Sequence, residues 1–170
     1  MEVIRRNIFE TNSSSSHSYV RAIDGESHYD YDDLRGLIKD DGYMHSCLDI
    51  YGWFGPDVVL PRHKLRYALT MIAEVETYES EDEFYRTESY LMLNDMIRNI
   101  YGCKGVVVDN FGLEIIVYNN RKFKEFNGSI DHQSCENYSS LQEFLDDIDT
   151  TLEAFIFDTK YIMKIDNDNH

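Results

Sequence analysis

The apolar residues of this 170-residue chain change spacing along its length, and that change limits the folds open to it. Leu141, Phe144, Leu145, Ile148, Leu152 and Phe155 fall on one face of a helix, and Ser140-Leu-Gln-Glu143 has the form of a capping box. Leu65, Leu69, Ile72 and Val75 repeat at the same spacing behind Pro61, a residue suited to a first helical turn. Ser80 is placed to cap a further helix, with Glu81, Asp82 and Glu83 complementing its dipole, Phe84, Leu93, Met96, Ile97 and Ile100 along it, and Gly102 to stop it. Asp32 caps a shorter helix through Leu34, Leu37 and Ile38, stopped by Gly42.

Between these lie β-rich runs. Met1–Phe9, Tyr19–Ile23 and Tyr161–Ile165 read as strands, and residues 43–60 as loop. Gly105–Asp109 and Leu113–Tyr118 read as a hairpin around Asn110-Phe111-Gly112. Strands at both ends and in the middle, with helices grouped between, predict an α+β fold: a mainly antiparallel sheet packed by about three to four helices. The length suits one domain spanning residues 1–170, and no repeat or Pro/Gly linker divides it.

Charge narrows function. There are 32 Asp and Glu against 16 Lys and Arg, a formal −16. That excludes ordinary binding to a nucleic-acid backbone, which is driven by Lys and Arg releasing counterions, and it opposes attraction to anionic lipid. Disorder is excluded by the 42% apolar content and by 13 Tyr, 9 Phe and 1 Trp. The acids form three blocks, at residues 24–49, 74–89 and 136–158, while bases gather at Arg62–Arg66 and Arg121–Lys124. The ordinary meaning of such blocks is solubility; the sharper one is a surface complementary to a basic groove. On that reading Glu81, Asp82, Glu83, Asp146, Asp147 and Asp149 are interface acids, with Tyr51, Trp53 and Phe54 as anchors.

Cys47, Cys103 and Cys135 are odd in number, widely spaced and outside any C-x-x-C pair, so the sequence calls for reduced thiols, with no structural zinc and no cofactor. The opening residues lack an apolar core for a secretion signal and no window is apolar enough to span a bilayer, which places the expected site of action in the cytoplasm. Asp166-Asn-Asp-Asn169 lacks the Gly and terminal Glu of an EF-hand loop and reads as a polar tail; an ion shared with Asp131 is the other reading, and no metal is assigned. His28, His45 and His63 show no ligand spacing and read as surface or loop residues.

The least ordinary stretch is Glu10–Ser18, with four consecutive serines before His17. Ser13, Ser14, Ser15, Ser16 and Ser18, with Asn12, offer hydroxyls and backbone N–H groups that suit an anion, and Arg5 and Arg6 stand just before them. The plain alternative is a solvated loop held by side-chain-to-backbone bonds. The string from Ile4 to Ser18 resembles the opening of a group of Firmicutes and phage proteins with no assigned activity, which begin with an Arg and then Phe-Glu-Thr-Asn-Ser-Ser-Ser-Ser/Thr-His-Ser. Ile130–Ser134 and the strand with its Asn167-Asp-Asn169 tail are similar to that group as well, and Gly52-Trp-Phe-Gly55 is a further short match. The resemblance implies a phage or mobile-element setting.

Two functions follow as expectations. The first is a small cytoplasmic binding protein that inhibits a host nucleic-acid-binding protein, such as a CRISPR or other defence nuclease, by occupying its basic surface without itself binding nucleic acid. The second is an enzyme or small-ligand binder for a phosphorylated or nucleotide-like molecule. There His17, His132 and Asp131 would form an acid–base set, and Arg5, Arg6, Asn12, Ser13–Ser16, Ser18, Gln133 and Ser134 would hold the ligand.

Overall fold

Helix α1 (Pro61–Val75) is the centre of the molecule, and its sequence says why. Leu65, Tyr67, Ala68, Leu69, Met71, Ile72 and Ala73 leave few polar positions on its circumference, and a helix apolar on nearly every side is stable only when surrounded. The computed structural model describes residues 16–51, 57–130, 132–135 and 137–167, with only the backbone described at 16–19, 132–133 and 165–167. The expected strand Met1–Phe9 lies outside the described residues.

Ser80 and Gly102 bound the next helical stretch as the sequence implies, but the stretch is broken in two. Ser80 Oγ accepts from the Glu83 N–H at 3.2 Å at the start of α2 (Glu81–Phe84), and Gly102 ends α3 (Glu88–Tyr101) with φ +65°. Between them Thr87 Oγ1 donates to the Phe84 carbonyl at 2.8 Å and receives the Tyr90 N–H at 3.4 Å, so this side chain closes one helix and opens the other. Such local bonds compete with helix continuation. The amphipathic run from Ser140 divides in the same way, into α5 (Leu141–Asp147) and α6 (Leu152–Phe157). Asp149 takes φ +50° and Thr151 caps Ala154 N–H at 3.1 Å. A single turn, α4 (His132–Cys135), precedes them, and the Asp32 helix is reduced to a 3-10 turn at Arg35–Leu37.

The strands pair in four two-stranded ladders, and the two longer ones are antiparallel. β1 (Ser16–Ala22) pairs with the final strand β8 (Tyr161–Asn167). β2 (Met44–Cys47) runs parallel to β4 (Val106–Asp109), and β3 (Ile50–Tyr51) parallel to β7 (Ser129–Ile130). β5 (Glu114–Tyr118) and β6 (Arg121–Glu125) form the only antiparallel hairpin among the described residues. The fold is α+β.

The hairpin expected across Asn110–Gly112 does not form. Asn110 at φ +53° and Gly112 at φ +65° carry the chain out of β4 without returning it alongside. The turn is instead Asn119-Asn120, with φ +50° and +58°, the double positive φ that a two-residue hairpin turn requires. The far edge of β4 is closed by side chains: Asn94 Oδ1 accepts from Val106 N–H at 2.9 Å, Tyr85 hydroxyl oxygen from Val108 N–H at 3.2 Å, and Tyr90 O–H donates to Val106 carbonyl at 2.6 Å. Residues 43–60, read as loop, therefore hold β2 and β3, strands too short for alternation to reveal.

One core runs through the whole. Tyr67 meets Tyr51 edge-on at 4.9 Å, and Phe84 meets Phe111 at 4.7 Å within a group that includes Tyr78, Tyr85 and Tyr90. Tyr51 is only 7% exposed and its hydroxyl donates to the His63 carbonyl at 3.1 Å, so it is a core residue and not a surface anchor. Trp53 and Phe54 lie outside the described residues.

Candidate functional site

Two acidic blocks that are far apart in sequence come together. The segment after β1 runs beside the end of α6: Asp30 N–H donates to Phe157 carbonyl at 2.9 Å, Thr159 N–H to His28 carbonyl at 2.8 Å, and Tyr29 bridges to Asp158. Tyr31 packs on Phe157 at 4.8 Å, its carbonyl accepts from Tyr101 hydroxyl at 2.7 Å, and its own hydroxyl donates to Glu153 at 2.6 Å. That bond, with burial behind it, pushes the Tyr31 hydroxyl up to about 12, so it stays a donor. Asp24 and Asp149 line one open cleft of about 270 Å³ with Ile23, Lys160 and Tyr161.

The acids of this face meet mostly neutral partners. Asp146 accepts from Gln142 at 2.6 Å, Asp147 from Tyr138 hydroxyl at 2.8 Å, and Glu153 from Tyr31. Among the described residues no Lys or Arg forms an ion pair with Asp146, Asp149 or Glu153. The cations of the region meet other acids of the two blocks: Lys160 bonds to Ser27 at 3.1 Å and lies 3.8 Å from buried Asp158, and Arg35 pairs with Asp32 at 2.9 Å.

The basic clusters are largely engaged with carboxylates and carbonyls away from Asp146, Asp149 and Glu153. Arg62 binds Asp33 through a guanidinium contact at 2.6 Å and a backbone N–H at 2.8 Å. Burial alone would raise the Asp33 carboxyl, but the Arg62 bonds and charge outweigh it and hold it below the usual carboxylate range. Lys64 is 1% exposed and donates to the Asp158 carbonyl at 2.8 Å. Lys124 Nζ caps the end of α1, donating to the carbonyls of Ala73 at 2.8 Å and Glu76 at 2.5 Å, and Lys122 meets Glu79 at 2.5 Å.

The block containing Glu81, Asp82 and Glu83 is exposed but serves a local task. Glu83 accepts from Glu79 N–H at 2.7 Å and Glu81 from Tyr85 hydroxyl at 3.3 Å, so these acids cap and brace α2.

The serine–histidine string is described only from Ser16. There the ladder sets Ser16 opposite Asn167, His17 opposite Asp166 and Ser18 opposite Ile165. Helix α4, which carries His132, Gln133 and Ser134, packs against β1, so the two segments singled out in sequence are neighbours in space. Ser134 is buried, at 2% exposure. Arg5, Arg6, Asn12, Ser13, Ser14, Ser15 and Asp131 lie outside the described residues.

His45 is a site the sequence reading passes over. Its Nδ1 lies 2.9 Å from Asp109 and its Nε2 2.9 Å from Asp41. Both carboxylates raise its pKa, the hydrogen bond to Asp109 most and that to Asp41 next. Only the parallel β2–β4 pairing brings Asp109 there, so no spacing in the chain could signal it.

Among the described residues no three His, Cys, Asp or Glu side chains converge to hold a metal, and no helix is long and apolar enough to cross a membrane. No family model, curated protein or solved structure matches the chain.

Proposed function

We propose that this chain is a binding protein whose acidic face occupies the basic, nucleic-acid-binding surface of a host protein, in a phage or mobile-element setting and with a defence nuclease as the expected class of target. The observation that carries the reading is the meeting of the segment that begins at Asp24 with Asp149 and Glu153, which, like Asp146, have no cationic partner among the described residues. Such a face attracts a basic groove from a distance and competes with the phosphates that the groove would otherwise hold. Tyr31 and Tyr101 both pack on Phe157, which anchors the segment that bears the acids.

The test is capture of the partner from a bacterial host lysate, followed by a salt titration and competition with duplex DNA on the purified pair. Association should weaken steeply with salt and fall by at least about 10-fold on charge reversal at Asp146→Lys, Asp149→Lys and Glu153→Lys. Undiminished binding at about 1 M salt, or in the reversed variant, ends the proposal.

A second reading is favoured by the packing of α4 against β1, which supports a shared site for a phosphorylated or nucleotide-like ligand. It requires His17→Ala and His132→Ala to abolish ligand binding while the unfolding midpoint is kept. Unfolding of both variants would make the string a stability element.

A further inference from the structure

The β5–β6 hairpin has two unlike faces. Directly paired residues of an antiparallel ladder share a face, so Ile115, Lys124, Val117 and Lys122 form one, and Glu114, Glu125, Ile116, Phe123, Tyr118 and Arg121 the other. The first face is partly covered, with Ile115, Lys122 and Lys124 lining a cleft against Glu74–Glu79 at the end of α1. The second is open: Ile116 is 38%, Phe123 48% and Tyr118 67% exposed.

The open face is ordered by charge. Glu114 lies directly opposite Glu125 at the base, an arrangement that destabilises a ladder unless a cation sits near it. Ile116 and Phe123 pair in the middle, and Tyr118 pairs with Arg121 at the tip. Among the described residues neither Glu114 nor Glu125 has an ion-pair partner, nor has Arg121. Lys122 and Lys124 point to the other face, toward Glu79 and the α1 carbonyls.

The acid row and the Arg121 row each lie two residues, about 7 Å, from the Ile116–Phe123 pair. A two-fold axis lying in the face and running across the strands through that pair brings the Arg121 end of one copy over the Glu114–Glu125 end of another, at both ends, with the apolar residues stacked between. We propose that this face is an isologous contact between two copies of the chain. A two-stranded face of six residues covers far less than the roughly 800 Å² per partner of a stable complex, and each copy carries −16, so the dimer is weak and concentration-dependent. Added salt screens the repulsion between bodies, so dimerisation strengthens from low to moderate salt, whereas docking of the acidic face on a basic partner weakens.

Sedimentation equilibrium from about 5 μM to about 1 mM protein, at about 0.02 and 0.2 M salt, tests this. The weight-average mass should climb from 20.0 kDa toward its double, and more readily at the higher salt. Phe123→Ser and, separately, Arg121→Glu should each weaken association by about 10-fold or more, with near-UV circular dichroism unchanged because both side chains are exposed. Glu114→Lys/Glu125→Lys should also fail to self-associate, yet mixing it with Arg121→Glu should yield a heterodimer, because both ends are then complementary. A monomer at every concentration, a dimer indifferent to these substitutions, or no rescue on mixing would overturn the contact. None of those outcomes touches the acidic-face reading, which is tested on other residues.

Discussion

Lys64 is a lysine inside a hydrophobic core, and its replacement by Met makes a quantitative test of the fold. The ammonium donates to the Asp158 carbonyl at 2.8 Å and is surrounded by buried residues of α1 and α6. Burial lowers its pKa from 10.5 to about 8, against a smaller opposing pull from the Asp158 charge. Between these two values the unfolded chain holds a proton that the folded chain has released, so stability rises with pH across that window. With about 1.4 kcal/mol per pKa unit, charging Lys64 costs the folded state roughly 3 kcal/mol at pH 7, of which about 2 kcal/mol is regained by pH 9.5. The assay is urea unfolding at pH 7, 8, 9 and 9.5. Wild type should gain stability across the series, and Lys64→Met should lose most of that slope, keeping a residue from Lys124, whose pKa burial also lowers. The window stops below pH 10 because the buried Tyr51, Tyr78 and Tyr90 hydroxyls have raised pKa values, and stability falls where the unfolded tyrosines ionise first. An unchanged slope in the variant, or a flat wild type, would refute a charged Lys64 in the core.

Phe111→Ala removes a ring in contact with Phe84, Tyr78 and Phe126 and should cost about 3–5 kcal/mol in denaturant unfolding. Replacing Asn119 and Asn120 by Ala puts methyl side chains at φ +50° and +58°, for about 1 kcal/mol or more each, and amides of β5 and β6 should exchange faster with solvent. His45 has a raised pKa through Asp109 and Asp41, so its contribution is complete below pH 6.5 and is lost as pH rises through the folded value. His45→Gln should flatten the stability profile in that range, and an NMR titration of the imidazole should show its midpoint above 6.5 in the wild type.

Local rules account for the elements that sequence made legible. Pro61 and the apolar residues behind it, the Ser80 cap and the Gly102 stop act over a few residues, and each is found where the pattern puts it. The misread junctions are those where two local preferences compete. Thr87 and Thr151 are acceptable within a helix and strong at its N-cap, and here each side chain accepts a backbone N–H of the helix that follows it. The candidate site was legible in part: the acidic blocks and the string could be read, but whether blocks or string meet anything is a matter of long-range contact.

By itself the sequence determined the amphipathic helices, the caps, the surplus of −16 and the aromatic content that makes a packed core possible. Only the tertiary structure decided that β4 turns away from Leu113–Tyr118 to pair with β2, that Asp109 reaches His45, and that Tyr31 ties the first acidic block to Glu153. The reason is one of range. Helix periodicity, capping and turn chemistry are interactions among residues a few positions apart. Outside the β5–β6 hairpin, the strand ladders and the convergence of charge join residues far apart in the chain, such as His45 with Asp109 at a separation of 64 and Tyr31 with Glu153 at 122, and the packing of α1 against its neighbours selects among the pairings that local preference leaves open.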